Sequence, residues 1–116
     1  MNGDCEVDSN CVSSKNYPSN YGNSEECTIH VLANVQLEVA SPYRIEGNGF
    51  DTITIDSLCI GCRSVSYASD FPETLSMGSE IKWRTDSSVI KEGWKVCFVP
   101  DGNNQKKISV CFLYYQ

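Results

Sequence analysis

Two neighbouring stretches decide the fold class: Ile81-Lys82-Trp83-Arg84 and Trp94-Lys95-Val96-Cys97-Phe98. In the first, Ile81 and Trp83 alternate with Lys82 and Arg84; in the second, Trp94, Val96 and Phe98 alternate with Lys95 and Cys97. Successive side chains of an extended chain point to opposite faces, so a period of two marks a strand with one face buried. On this reading Trp83 and Trp94 are structural and face a core. The same period recurs where Val35, Leu37 and Val39 alternate with Gln36 and Glu38, and where Ile53 and Ile55 alternate with Thr52 and Thr54. No segment sustains a helical period.

Clusters of turn residues separate these runs: Asn16-Tyr17-Pro18-Ser19-Asn20, Glu46-Gly47-Asn48-Gly49, Asp70-Phe71-Pro72 and Asp101-Gly102-Asn103-Asn104. Glycine and asparagine supply positive φ and proline fixes φ, so these read as loops. The last cluster, between Val96–Val99 and Ile108–Leu113, reads as a hairpin connection. Many short strands at regular spacing predict an all-β fold, an antiparallel β-sandwich over residues 1–116 as a single domain. There are no internal repeats and no linker.

The chain has 116 residues, of which 41% are hydrophobic, an ordinary share for a globular domain. No stretch approaches the ~18 apolar residues of a membrane helix, so no membrane insertion is expected. The opening MNGDCEVDSN has neither a charged start nor an apolar run, unlike a signal peptide. For a secreted chain the expectation is that the signal has been removed and that Met1 is an added start. With 9 basic against 15 acidic side chains the net charge is −6, and no basic stripe is visible. A phosphate backbone would be repelled, so no nucleic-acid partner is expected, whereas a cation fits.

Seven cysteines, Cys5, Cys11, Cys27, Cys59, Cys62, Cys97 and Cys111, span the chain. Such a distribution predicts a disulfide framework and a secreted or extracellular location. Zinc is the rival reading, but it wants clustered thiolates, and Cys59-Ile60-Gly61-Cys62 is the one close pair, with a single histidine in the chain. The odd count leaves one thiol free or pairing between chains. The sequence lacks any Asn-x-Ser/Thr sequon.

The segment Cys11-Val-Ser-Ser-Lys-Asn-Tyr-Pro-Ser-Asn-Tyr-Gly-Asn-Ser-Glu-Glu-Cys27-Thr-Ile resembles the opening of a CUB domain. That family reads as a serine, a Tyr-Pro pair, Asn-Tyr, a few polar residues and Cys-x-Ile. Tyr43-Arg-Ile-Glu46 followed by Phe50-Asp51-Thr-Ile-Thr-Ile55 is similar to the family's Phe-x-x-Glu and Tyr-Asp-x-Leu-x-Ile elements. Thr85-Asp86-Ser87-Ser88 and Gly93-Trp94 resemble its Ser-Asp-x-Ser loop and Gly-aromatic last strand. The resemblance spans about residues 11–98 and implies a CUB-like jelly-roll sandwich. The stretch Glu46–Asp51 is shorter than the family's, and Cys59 and Cys62 lie closer than its second cysteine pair. Residues 100–116 extend past the family's end as an extra strand or hairpin.

The resemblance further implies a Cys11–Cys27 bridge closing the first loop; the other expected pairs are Cys5–Cys97, tying the N-terminus to the last family-like strand, and Cys59–Cys62. Cys111 would then be the odd thiol. It also implies one Ca2+ held by Glu46, Asp51 and Asp86, with backbone oxygens near Ser88 and Val89. The chemistry is sound without the family, since Ca2+ takes six to eight oxygens at about 2.4 Å and loops can gather distant carboxylates. Each carboxylate alone is an ordinary turn residue. Tyr17 and Tyr21 either flank the site as partner-binding aromatics or pack the first loop.

An enzyme is not expected. His30, the lone histidine, lies on a strand-like run, and no nucleophile elbow, phosphate loop or HExxH is present. Cys59-x-x-Cys62 lacks the strand–helix setting of a redox enzyme. The resemblance implies a calcium-dependent protein-recognition or adhesion module as the expected function. Its acidic loop end would accept a Lys or Arg side chain of an extracellular protein, with affinity gained by repetition in an oligomer or multidomain parent. The alternative is a carbohydrate-binding or spacer domain without calcium.

Overall fold

A computed structural model describes residues 4–87, 90–100 and 113–115; for Pro100 and 113–115 it describes the backbone. The described chain is all-β. Its strands are β1 (Cys5–Asp8), β2 (Cys11–Ser14), β3 (Glu26–Val31), β4 (Val35–Val39), β5 (Thr52–Ile55) and β6 (Leu58–Ile60). They continue with β7 (Thr74–Leu75), β8 (Glu80–Arg84), β9 (Lys95–Pro100) and β10 (Leu113–Tyr115). A single 3-10 turn at Ala68–Asp70 is the one helical element among the described residues.

The strands form two five-stranded antiparallel sheets, in the orders β1-β2-β9-β4-β7 and β10-β3-β8-β5-β6, arranged as a sandwich. Alternation places the core. On β8, Ile81 and Trp83 are buried while Lys82 and Arg84 are exposed. From β3 come Cys27, Ile29 and Val31, and from β5 Ile53 and Ile55. The first sheet contributes Val12, Val35, Val96 and Phe98, with Trp94 just before β9. Trp83 and Trp94 meet edge to face, ring centres 5.9 Å apart, and both are buried, as their positions in alternating runs predict. Edge-to-face contact suits the quadrupoles of two aromatic rings.

Three disulfides staple the sandwich, and their pairing corrects two expectations. Cys5 bonds to Cys27, linking β1 of one sheet to β3 of the other, and Cys11 bonds to Cys97. The expected pairs Cys11–Cys27 and Cys5–Cys97 are therefore exchanged. The register gives the reason: β2 lies beside β9 with Cys11 directly opposite Cys97, so that pair is adjacent within one sheet. Cys59 bonds to Cys62 as expected. Cys111 lies outside the described residues. The hairpin expected around Asp101-Gly102-Asn103-Asn104 also falls largely outside them; β9 sits in the first sheet, and β10, which begins at Leu113, pairs with β3 in the second.

The registers also collect the loops. Glu26 pairs with Arg84, Thr52 with Arg84, Ser13 with Lys95 and Val39 with Val96. The β2–β3, β4–β5 and β8–β9 connections thus lie at the same end of the sandwich. Ile53 opposite Ile60 brings the end of β6, and the segment that follows it, to that end as well.

Candidate metal centre

At this end Glu46, Asp51 and Asp86 come together, with one carboxylate oxygen of each inside 4.8 Å of the others. Oxygens sharing one ion at ~2.4 Å lie at most about 4.8 Å apart, so the spacing fits a common Ca2+. Asp51, just before β5, has no exposed surface. Its Oδ1 accepts the backbone N–H of Asp86 at 3.0 Å, and its Oδ2 accepts the phenol of Tyr21 at 2.5 Å. The same phenol oxygen accepts the N–H of Glu46 at 3.2 Å, so one tyrosine sets two of the three acidic positions. Glu46 is half-buried, and its Oε1 is buried without a hydrogen-bond partner.

The electrostatics oppose three bare carboxylates. Burial, foremost, holds the Asp51 carboxyl above its ordinary range; repulsion from Asp86 adds to this, and the bonds from Tyr21 and the Asp86 amide subtract from it. Glu46 is raised as well, by desolvation first and then by the charges of Asp86 and Asp51, against a smaller opposing effect of Lys91. Burial and the bond to Asp51 push the Tyr21 phenol up, so it stays a donor.

Backbone contacts hold the three loops in place. The Ser24 N–H donates to the Asp86 carbonyl at 2.7 Å and the Tyr21 N–H to the Lys91 carbonyl at 3.0 Å. Arg44 and Gly93 exchange a pair of N–H···O bonds at 2.8 and 2.9 Å. Gly93 has φ +93°, and a Cβ there would collide with Ser14 Oγ, so glycine is required. The shortened Glu46–Asp51 turn works because it leans on the segment after β6. The Asn48 and Gly49 amides donate to the carbonyls of Arg63 and Gly61 at 2.7 and 2.9 Å. Asn48 and Gly49 both take the positive φ expected of that cluster.

Of the expected site residues, Glu46, Asp51 and Asp86 converge, while Ser88 and Val89 lie outside the described residues. Tyr21 is corrected: it is 1% exposed, edge to face with Trp83 at 5.0 Å, and serves the carboxylates from within the core instead of touching a partner. Tyr17 is half-buried, and its hydroxyl donates to the Pro42 carbonyl at 2.5 Å. Sequence reasoning missed three features. Phe50, next to Asp51, is 53% exposed. A groove of about 370 Å³ runs from Glu46 past Val65, Arg44 and Lys91. Glu25 is buried, with its Oε2 accepting the Gly22 N–H at 2.9 Å, and burial above all raises its carboxyl. The motif order alone held a signal for Phe50, as the aromatic preceding the strand aspartate. His30 lies half-buried on β3, its Nε2 3.7 Å from a Glu80 carboxylate oxygen.

Comparisons with protein-family models, with curated proteins and with solved structures find no match to this chain. Among the described residues no helix is long and apolar enough to cross a membrane. Three disulfides are typical of extracellular proteins.

Proposed function

We propose that this chain is a secreted, CUB-like recognition module in which Glu46, Asp51 and Asp86 hold one Ca2+, and in which the ordered loops bind an extracellular protein through its Lys or Arg side chains. The observation that carries the reading is the meeting of three carboxylates around a fully buried Asp51, with a buried Glu46 oxygen lacking any partner. Buried anionic groups need a compensating cation or they take up protons. Calcium, a hard cation that prefers carboxylate and carbonyl oxygens, suits this donor set better than zinc, which prefers nitrogen and sulfur.

Bound calcium would supply positive charge between the loops; the chain's own groups do the rest. Tyr21 and the Asp86 amide orient Asp51, and the β2–β3 loop locks the β8–β9 loop. Outward carboxylate oxygens then accept a partner's ammonium or guanidinium, and exposed Phe50 covers its aliphatic stem. A ligand that binds only the folded state raises its melting temperature. Calcium added to chelator-stripped protein should therefore raise the melting temperature, and should leave Asp86→Ala unmoved. That variant should fold, because the bonds of the Asp86 amide to Asp51 and of the Ser24 amide to the Asp86 carbonyl do not need its side chain. Equal melting temperatures with chelator and with calcium would sink the proposal.

A further inference from the structure

Cys59 and Cys62 are both exposed, whereas Cys5 and Cys27 are buried and Cys11 and Cys97 half-buried. The Cys59–Cys62 bridge spans a sequence separation of 3, against 86 for Cys11–Cys97, so little global chain entropy depends on it. What it constrains is local. Between the two cysteines, Gly61 has φ +96°, and a Cβ there would lie 2.5 Å from the Asp51 carbonyl oxygen and 2.9 Å from Ile45 Cδ1. A Cβ at Gly47 would lie 2.6 Å from the Arg63 carbonyl oxygen and 2.5 Å from that of Ser64. Together with the bonds from Asn48 and Gly49, the bridged segment is the floor on which the Glu46–Asp51 turn rests.

We propose that the Cys59–Cys62 disulfide is a thiol–disulfide exchange site for a dithiol reductant, and that opening it loosens the turn carrying Glu46 and Asp51. One thiolate of the reductant attacks either sulfur, the protein S–S bond breaks, and the other cysteine leaves as a thiolate. The reductant's second thiol then displaces the first cysteine from the mixed disulfide. Two electrons and two protons end on Cys59 and Cys62 as thiols, and the reductant leaves as its own disulfide. Accessibility selects this bridge over the other two. The consequence for calcium rests on the metal reading above; the loosening of the turn does not.

The test treats the folded protein with dithiothreitol, alkylates the freed thiols and maps them, and measures backbone amide exchange and calcium affinity alongside a Cys59→Ser/Cys62→Ser variant. The expected result is alkylation at Cys59 and Cys62 first. Exchange should quicken at Asn48 and Gly49 but not at Ile29 or Val96, and calcium affinity should fall about fivefold or more, as for a typical coupling between sites. Unchanged exchange at Asn48 and Gly49 with both thiols alkylated, or alkylation of all three bridges together, would overturn the proposal. So would a variant whose core amides exchange as fast as its turn. Faster turn exchange in a protein whose oxidised form gives no calcium heat would support the exchange site and overturn the metal reading alone.

Discussion

The phenol of Tyr21 donates a 2.5 Å hydrogen bond to Oδ2 of Asp51, both side chains being buried at the loop end of the sandwich. This places a neutral donor against a carboxylate that has lost its water. Tyr21→Phe removes the donor and keeps the ring against Trp83. Losing a hydrogen bond to a buried charged group costs about 1.5–3 kcal/mol. The urea midpoint of Tyr21→Phe in chelator should fall accordingly. The fall should be larger at neutral pH than near pH ~4, where an ordinary carboxylate is half protonated.

Proton linkage gives a second expectation. The folded Asp51 and Glu46 carboxyls sit above their ordinary values of 3.8 and 4.5. Between the ordinary and the raised value the folded state binds more protons than the unfolded chain, so stability falls as pH rises through that window. Chelated protein should therefore lose melting temperature as pH climbs from the ordinary carboxylate range. Saturating calcium should remove most of that slope, since a cation favours the charged forms. Glu25, also raised but outside the cluster, should leave a residual slope that calcium does not touch. Melting temperatures across pH, with and without calcium, check this, and a slope that calcium leaves unchanged would count against the triad.

Trp83 joins the core to the site, since it packs against Trp94 on one side and Tyr21 on the other. Trp83→Ala should destabilise the domain by about 3–5 kcal/mol, the usual loss for a buried aromatic truncated to alanine. Denaturant unfolding measures it. A variant with an unchanged midpoint would mean that the ring is not part of the core.

The strands were legible because alternation is a local property: the buried faces of β5, β8 and β9 fall on the positions that the pattern marks. The acidic triad was legible through the order of its motifs along the chain. The two long-range disulfide pairings were not, unlike Cys59–Cys62, because they depend on which strands become neighbours. Nothing local tells Cys11 that β9 will lie beside β2, or that Cys5 will face β3 across the sandwich. The two readings of Tyr21, partner-binding flank or loop packing, could not be separated for a related reason. A tyrosine in a polar loop suits either until the loop is known to fold back over Trp83. The support given to Asn48 and Gly49 by Gly61 and Arg63 likewise appears only when β6 pairs with β5.

The central claim is that Asp51 is a buried calcium ligand, and calorimetric titration of calcium into chelator-stripped wild type and Asp51→Asn tests it most directly. Asparagine keeps the shape and removes the charge. Wild type should bind one Ca2+ with a dissociation constant of roughly 10⁻⁴–10⁻³ M, the range of extracellular modules. Asp51→Asn should show no calcium heat, and calcium should leave its melting temperature unmoved. A wild type that gives no calcium heat, or an Asp51→Asn variant that binds calcium as tightly as wild type, would contradict the account.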